Sequence, residues 1–144
     1  MTFVVDSSVT LTWCFEEERT AATEYLLDMV TDSGAIAPAL WPLEVLNALL
    51  VAEKRKRVDF TRRHELISAL RSLPITLDTK TSSQAWMTTN QLAEQYRLTI
   101  YDSAYLELAR RLTLPLATLD ADLREAARAL GVSLLGTSED TEIV

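Results

Sequence analysis

The sequence predicts an α/β fold, a three-layer α/β/α sandwich around a central parallel sheet of four to five strands. Short apolar runs alternate with longer stretches of helical periodicity along the chain, and this alternation is typical of parallel sheets with helices on both faces. With 144 residues and 48% hydrophobic content, the chain can bury one core without a linker. We therefore expect one domain over residues 1–135, followed by an acidic, frayed tail over residues 136–144.

Each predicted strand is a short apolar run. The runs are residues 2–5, 35–37, 74–77, 115–119 and 132–135. The first is β-branched and apolar throughout, as in a central strand that is buried on both faces. Because a helical stretch separates each run from the next, the strands can lie parallel to one another.

Periodic spacing of apolar residues predicts the helices. They cover residues 9–15, 16–32, 41–57, 61–73, 78–96, 101–112 and 123–130. Ser7 and Ser8 can cap the first helix, and Pro42 suits an early helical position in the third. Gly131 suits the left-handed residue that ends the last helix.

The same spacing predicts which side chains are buried. In the third helix, Leu43, Leu46 and Leu50 are expected to face the core. Trp86 and Met87, in the fifth helix, are expected to fill the core or an interface.

Charge is distributed unevenly along the chain. The net charge of −7 argues against a general polyanion binder, because affinity for nucleic acids comes largely from cations that neutralise phosphates. Residues 54–63, which we call the basic segment, nevertheless contain six cations and a single anion. The cations are Lys54, Arg55, Lys56, Arg57, Arg62 and Arg63. A solvated helix end and an edge that contacts phosphates are equally compatible with this segment.

Membrane and secreted classes are not supported. The sequence has no apolar run near the roughly 18 residues of a membrane span, and residues 1–15 carry no basic leader. We therefore expect a cytoplasmic protein.

Four acids occupy equivalent places at the ends of apolar elements. Asp6 and Asp120 follow predicted strands, whereas Glu44 and Asp102 lie in the first turns of predicted helices. Taken singly, each helix acid is explained by favourable interaction with the helix dipole. Together the four can meet at the carboxyl edge of the sheet, where ligands of parallel sheets collect. Asp122 is a further, less certain member.

Such a cluster favours divalent cations. Adjacent carboxylates repel one another, which raises their pKa values unless a cation compensates. Oxygen ligands without cysteine or histidine suit Mg²⁺ or Mn²⁺ rather than zinc. Paired ions of this kind can activate a water and stabilise a leaving oxygen, so the predicted chemistry is hydrolysis of a phosphodiester. Ser8 is placed to orient Asp6, and Asn47 to orient Glu44.

Four segments resemble the motifs of PIN-domain ribonucleases, and most closely those of VapC-type toxins of type II toxin–antitoxin systems. They are residues 4–8 (VVDSS), 44–48 (EVLNA), 99–105 (TIYDSAY) and 117–120 (ATLD). Their order and spacing match the family over nearly the whole chain. The resemblance implies a PIN-like nuclease domain over residues 1–135.

The resemblance also implies roles and partners. It assigns the metals to four catalytic carboxylates and polar support to two hydroxyls. The carboxylates are Asp6, Glu44, Asp102 and Asp120, and the hydroxyls are those of Ser8 and Thr118. In the family Asp122 varies between metal ligand and bystander. RNA is the implied substrate, cut to leave a 5′-phosphate and a 3′-hydroxyl. A homodimer and a VapB-type antitoxin that blocks the acidic groove are the implied partners, and the basic segment is the candidate guide for RNA.

Several alternatives remain. A haloacid-dehalogenase-like phosphatase also has an aspartate after its first strand, but it needs a second aspartate where Ser8 stands. A phosphoacceptor receiver domain needs paired acids in the first loop and a lysine near the last strand. Within the PIN class, a housekeeping nuclease without an antitoxin and a non-catalytic scaffold for protein binding are also compatible with the sequence.

Overall fold

The computed structural model describes residues 2–143, and side chains as far as residue 140. The described residues form a five-stranded sheet with the strand order β3-β2-β1-β4-β5. Its strands are β1 (Val4–Val5), β2 (Ala35–Ala37), β3 (Ile75–Leu77), β4 (Leu116–Ala117) and β5 (Leu134–Leu135). All neighbouring strands are parallel, which confirms the predicted α/β/α sandwich.

Helices connect the strands. They are α1 (Ser7–Thr12), α2 (Ala21–Ser33), α3 (Trp41–Lys54), α4 (Phe60–Arg71), α5 (Thr81–Gln84), α6 (Asn90–Tyr96), α7 (Ile100–Leu112) and α8 (Ala121–Leu130). A π-helical turn, Ala85–Thr89, joins α5 to α6, and 3₁₀ turns cover Glu16–Glu18 and Ser138–Ile143. None of the described helices is both long and apolar enough to cross a lipid bilayer.

The order of the strands creates a crevice beside β1. The chain runs outward from β1 to β2 and β3 and then returns to the other side of β1 as β4. Val4 and Val5 pair in register with Leu116 and Ala117 of β4. At such a reversal of strand order, the connections leave in opposite directions and ligands bind outside the carboxyl ends of the strands. The residues that follow β1 and β4 therefore face one another across this crevice.

The centre of the core is formed by β1, β4 and α7. Both β1, as predicted for a central strand, and β4 are fully buried, and every residue of α7 from Ser103 to Ala109 is buried. This burial fixes α7 against the sheet, with its first turn close to the crevice.

Two helices begin later than predicted. The second helix starts at Ala21 rather than at residue 16, because Thr20 and Thr23 form a capping box that begins the helix there. The fifth predicted helix starts at Thr81 instead of residue 78 and widens into the π-helical turn at its centre.

Several side chains that were predicted to be buried are exposed. Leu43 is 72% exposed, and Leu46 and Leu50 also lie at the surface. The prediction for this helix was wrong because α3 is apolar on two faces, and the face that packs inward is that of Trp41, Val45, Leu49 and Ala52. Trp86 is 88% exposed and Met87 is 66% exposed, so neither fills the core of this chain.

The segment after β5 is held against the domain at least as far as Asp140. The guanidinium of Arg124, 6% exposed, donates to Asp140 Oδ1 and Oδ2 at 2.8 and 2.9 Å and to the carbonyl of Thr118 at 2.8 Å. Residues 137–140 are therefore ordered by a buried ion pair instead of being frayed. The domain boundary at residue 135 stays a prediction.

Candidate active site

Asp6 stands at the carboxyl end of β1 and begins α1. Its Oδ1 accepts hydrogen bonds from the amide of Val9 at 3.0 Å and from the hydroxyl of Ser8 at 2.7 Å. The N-cap of α1 is therefore Asp6 itself and not one of the two serines. Ser8 instead orients the carboxylate, the alternative role that the sequence analysis gave it.

Asp120 repeats this arrangement after β4. Its Oδ1 accepts from the amide of Leu123 at 2.8 Å and so caps α8, while its own amide donates to the buried hydroxyl of Thr118 at 3.1 Å. The Ser8 hydroxyl also accepts from the amide of Leu119 at 3.0 Å. Ser8 thus bridges the ends of β1 and β4 and helps to hold the two aspartates on either side of the crevice.

Glu44 and Asp102 reach the crevice from helices. Both lie in first turns, Glu44 in α3 and Asp102 in α7, where Thr99 caps the helix by accepting from the amide of Asp102 at 3.0 Å. Glu44 Oε1 accepts a hydrogen bond of 2.5 Å from the hydroxyl of Tyr105. Tyr105, rather than the exposed Asn47, therefore orients Glu44.

Tyr105 is the site residue that sequence reasoning missed. Its helical spacing with Leu108 and Leu112 is that of a residue on the buried, apolar face of the helix. A signal was present, since Tyr105 follows Asp102 by three residues, and residues at that spacing share one face of a helix. A phenol on the same helical face as a candidate ligand is a potential hydrogen-bond partner for its neighbours.

The effects of the acids on one another's pKa values show that they lie close together. Burial raises the pKa of the Asp102 carboxyl above its ordinary value, and the charges of Asp120, Glu44 and Asp122 raise it further. Burial likewise raises the pKa of Asp6 from 3.8 to about 6, against the lowering effects of hydrogen bonds from Thr118, Val9 and Ser8, and the charge of Asp102 adds to the rise. Asp102 is thus electrostatically coupled to each of the other candidate acids. These are Asp6, Glu44, Asp120 and Asp122.

The donor chemistry of this cluster fits a divalent cation. Its candidate ligands are carboxylate oxygens, which suit Mg²⁺ or Mn²⁺, and the raised pKa values of Asp6 and Asp102 reflect burial and repulsion that a cation relieves. As the side chains stand, no group of three or more His, Cys, Asp or Glu residues in the described part of the chain encloses a metal position. Ser8 and Val9 donate to Oδ1 of Asp6, Tyr105 donates to Oε1 of Glu44, and Leu123 donates to Oδ1 of Asp120.

A comparison with models of known protein families matches residues 3–129 to the PIN domain. The chain belongs to the PIN domain family. This membership confirms the resemblance found in the sequence and decides against the phosphatase and receiver alternatives. PIN domains are generally nucleases.

Solved structures similar to this PIN domain agree with the fold. PAE2754 from Pyrobaculum aerophilum is 22% identical, with a TM-score of 0.65 over 88% of this chain and 87% of that one. FitAcB from Neisseria gonorrhoeae is 14% identical, with a TM-score of 0.64 over 93% and 96%. VapBC2 from Rickettsia felis, solved with a bound DNA fragment from its promoter, is 11% identical, with a TM-score of 0.63 over 93% of this chain and 97% of that one. The comparison with curated proteins finds no match.

The basic segment of this PIN domain lies at the opposite end of α3 from Glu44, and two of its cations are already paired. Arg57 bonds to Glu17 and Glu18 and stacks on Phe15 with 3.7 Å between its guanidinium carbon and the ring centroid. Arg63 pairs with Glu53 at 2.5 Å. Within the described residues, the cations of this segment that are exposed and make no ion pair are Lys54, Arg55, Lys56 and Arg62.

The raised pKa of Asp6 predicts a pH-dependent cost in stability. A rise from 3.8 to about 6 corresponds to about 3 kcal/mol. Without metal, the stability associated with the protonated carboxyl is fully present below pH 3.8 and is lost as the pH rises through about 6. We expect Asp6→Asn, which retains a capping oxygen, to be more stable than the wild type at pH 7.5 in EDTA by on the order of 1–3 kcal/mol.

Urea denaturation of the two proteins in EDTA at pH 4 and at pH 7.5 checks this expectation. The difference in the free energy of unfolding should nearly vanish at pH 4, because Asp6 is protonated there in the folded state. An Asn variant that is less stable than the wild type at pH 7.5 would contradict the account of Asp6.

Proposed function

We propose that this protein is a divalent-metal-dependent endoribonuclease that hydrolyses RNA phosphodiester bonds and acts as the toxin of a VapBC-type toxin–antitoxin pair. The observation that carries the proposal is the electrostatic coupling of Asp102 to acids at the end of β1, in α3 and at the start of α8, beside the crevice of a PIN fold. A protein gains little from repelling carboxylates unless a cation binds them. Membership in a family of nucleases connects that cation to phosphodiester hydrolysis.

Each acid has a role in this proposal. The ligands for Mg²⁺ or Mn²⁺ are Asp6, Glu44, Asp102 and Asp120, with the exposed Asp122 as a further candidate. Bound ions would supply activation of water and stabilisation of the leaving oxygen. Ser8 and Thr118 keep the strand-end aspartates in place through the hydrogen bonds described above.

The substrate must overcome repulsion from this acidic centre. The exposed, unpaired cations Lys54, Arg55, Lys56 and Arg62 are the candidate guides for RNA, since cations that neutralise phosphates supply the sequence-independent part of the affinity. Arg57 and Arg63 contribute less in this role, because their charges are balanced by Glu17, Glu18 and Glu53. Asn47, exposed in the turn that follows Glu44, is placed to contact substrate.

The toxin role is supported by the kind of proteins that share the fold. FitAcB and VapBC2 are toxin–antitoxin proteins, and we propose the same relationship for this chain, with a VapB-type antitoxin, a homodimeric state and a cytoplasmic location. A housekeeping PIN nuclease would share the chemistry but lack the antitoxin. Growth of the host upon induction distinguishes them, because only a toxin arrests growth until its antitoxin is supplied.

The proposal is tested by incubating the purified protein with total RNA in Mg²⁺, in Mn²⁺ and in EDTA. We expect cleavage in either metal, none in EDTA, and products that carry a 5′-phosphate and a 3′-hydroxyl, as hydrolysis with a 3′-oxygen leaving group requires. Mapping the product ends also identifies the target RNA. Cleavage that persists in EDTA would contradict the metal dependence, and an inert protein in all three conditions would favour the non-catalytic scaffold.

A further inference from the structure

Tyr105 connects two helices of the site through a single side chain. It lies in the buried stretch of α7 and is 1% exposed, and its hydroxyl donates to Glu44 Oε1 of α3 at 2.5 Å. The two residues are 61 positions apart in the sequence. A hydrogen bond between a hydroxyl and a carboxylate at this distance belongs to the strong, charge-assisted class.

The surroundings of the hydroxyl keep it a donor. Burial raises the pKa of the Tyr105 phenol above its ordinary value, the hydrogen bond to Glu44 and the charges of Glu44 and Asp6 raise it further, and a contact with the Ser7 hydroxyl lowers it slightly. The hydroxyl therefore acts as the donor in its hydrogen bond to Glu44.

We propose that Tyr105 is a positioning residue, whose hydroxyl holds the Glu44 carboxylate in the orientation in which it joins Asp6 and Asp102 as a metal ligand. The inference rests on the proposed function, because it assigns Glu44 a cation. A glutamate side chain loses rotamer entropy when it is immobilised. Because the hydrogen bond from Tyr105 already orders the Glu44 side chain in the folded protein, this entropy is not lost again when a metal binds.

The orientation matters because of where Glu44 stands. It is only partly buried, in the first turn of α3, next to Leu43, which is 72% exposed. A carboxylate at such a place can turn toward solvent unless something holds it. Within the described residues, the side-chain hydrogen bond made by Glu44 is the one from Tyr105, so removing one hydroxyl releases the ligand while the aromatic ring still fills the core.

The experiment compares Mn²⁺ binding by the wild type, Tyr105→Phe and Tyr25→Phe, measured by calorimetric titration at pH 7.5. Outer-shell partners of metal ligands typically change metal affinity by 10–100-fold, and we expect the Kd of Tyr105→Phe for Mn²⁺ to rise by about this factor. Tyr25→Phe removes the same hydroxyl from an exposed residue of α2. This helix carries none of the candidate metal ligands, so the Kd of Tyr25→Phe should equal that of the wild type. Melting curves in EDTA establish that each variant is folded.

A double-mutant cycle separates positioning from a general packing effect. In a Glu44→Ala background, Tyr105→Phe should cause no further loss of Mn²⁺ affinity, because the hydroxyl acts through Glu44. Raising Mn²⁺ above the weakened Kd should restore the rate of RNA cleavage by Tyr105→Phe, a rescue that a damaged core would not show. Equal Mn²⁺ affinities of the wild type and Tyr105→Phe, or additive losses in the cycle, would overturn the positioning role and leave the proposed function intact. A wild type that binds no Mn²⁺ would overturn both.

Discussion

Replacement of Asp102 by asparagine should abolish RNA cleavage by this PIN domain and the toxicity to its host. Asp102 senses the charges of Asp120, Glu44 and Asp122, and it contributes to the raised pKa of Asp6, so the proposed metal site is centred on it. Mutation of a residue that only hydrogen-bonds to a metal ligand typically lowers metal affinity or activity 10–100-fold. Mutation of a direct ligand should lower activity further. We expect the cleavage rate to fall by more than about 100-fold, measured on a labelled RNA fragment in Mg²⁺.

The matched control is Asp28→Asn, the same substitution at an exposed position of α2. Its cleavage rate should equal that of the wild type. Asp102→Asn should melt as a folded protein in EDTA, since the amide is isosteric and removes one repelling charge. Wild-type cleavage by Asp102→Asn would rule out the assignment of the site, and loss of cleavage by both variants would show that the effect is not specific to Asp102.

Loss of the Asp140 carboxylate should strongly destabilise the fold, although Asp140 lies beyond the last strand. The Arg124 guanidinium that it pairs with is buried, and it also binds the carbonyl of Thr118 next to the site. Removing one partner of a buried ion pair leaves an uncompensated charge and typically costs 3–5 kcal/mol. We expect Asp140→Ala to lower the free energy of unfolding by about 3 kcal/mol, measured by urea denaturation.

Glu139→Ala provides the comparison within the same segment. Glu139 faces Arg128 at 3.7 Å in an ion pair whose side chains are 78% and 56% exposed, and such exposed pairs contribute little. Its effect on unfolding should stay within about 0.5 kcal/mol. If both substitutions had equally small effects, residues 137–140 would be dispensable and the frayed tail expected from the sequence would be the better description.

The fold and the candidate acids could be predicted because both depend on local pattern. A short apolar run between helical stretches predicts a parallel strand wherever it occurs, and all five strands of the described sheet lie within the predicted ranges. Once the sheet is parallel, residues such as Asp6 and Asp120 that follow its strands must lie at the same edge. Their proximity also requires β1 to pair with β4, which the structure shows and the sequence did not predict.

What the sequence did not reveal depends on contacts between distant residues. Tyr105 is spaced like a core residue, and only the packing of α7 on α3 brings its hydroxyl to Glu44. The pairing of Arg57 with Glu17 and Glu18 likewise joins segments about 40 residues apart and removes one cation from the basic segment. Leu43 was misplaced because α3 has two apolar faces, and periodicity does not tell which of them meets the sheet.

In the proposed site, carboxylates from distant parts of the chain hold a divalent cation at the carboxyl edge of the sheet. Crystals of the protein soaked in Mn²⁺ would reveal such a cation by anomalous diffraction at a wavelength where manganese scatters strongly. We expect an anomalous peak in contact with oxygens of Asp102 and of at least two of Asp6, Glu44 and Asp120. A map with no peak there at millimolar Mn²⁺, or with manganese bound only elsewhere, would rule out this metal site.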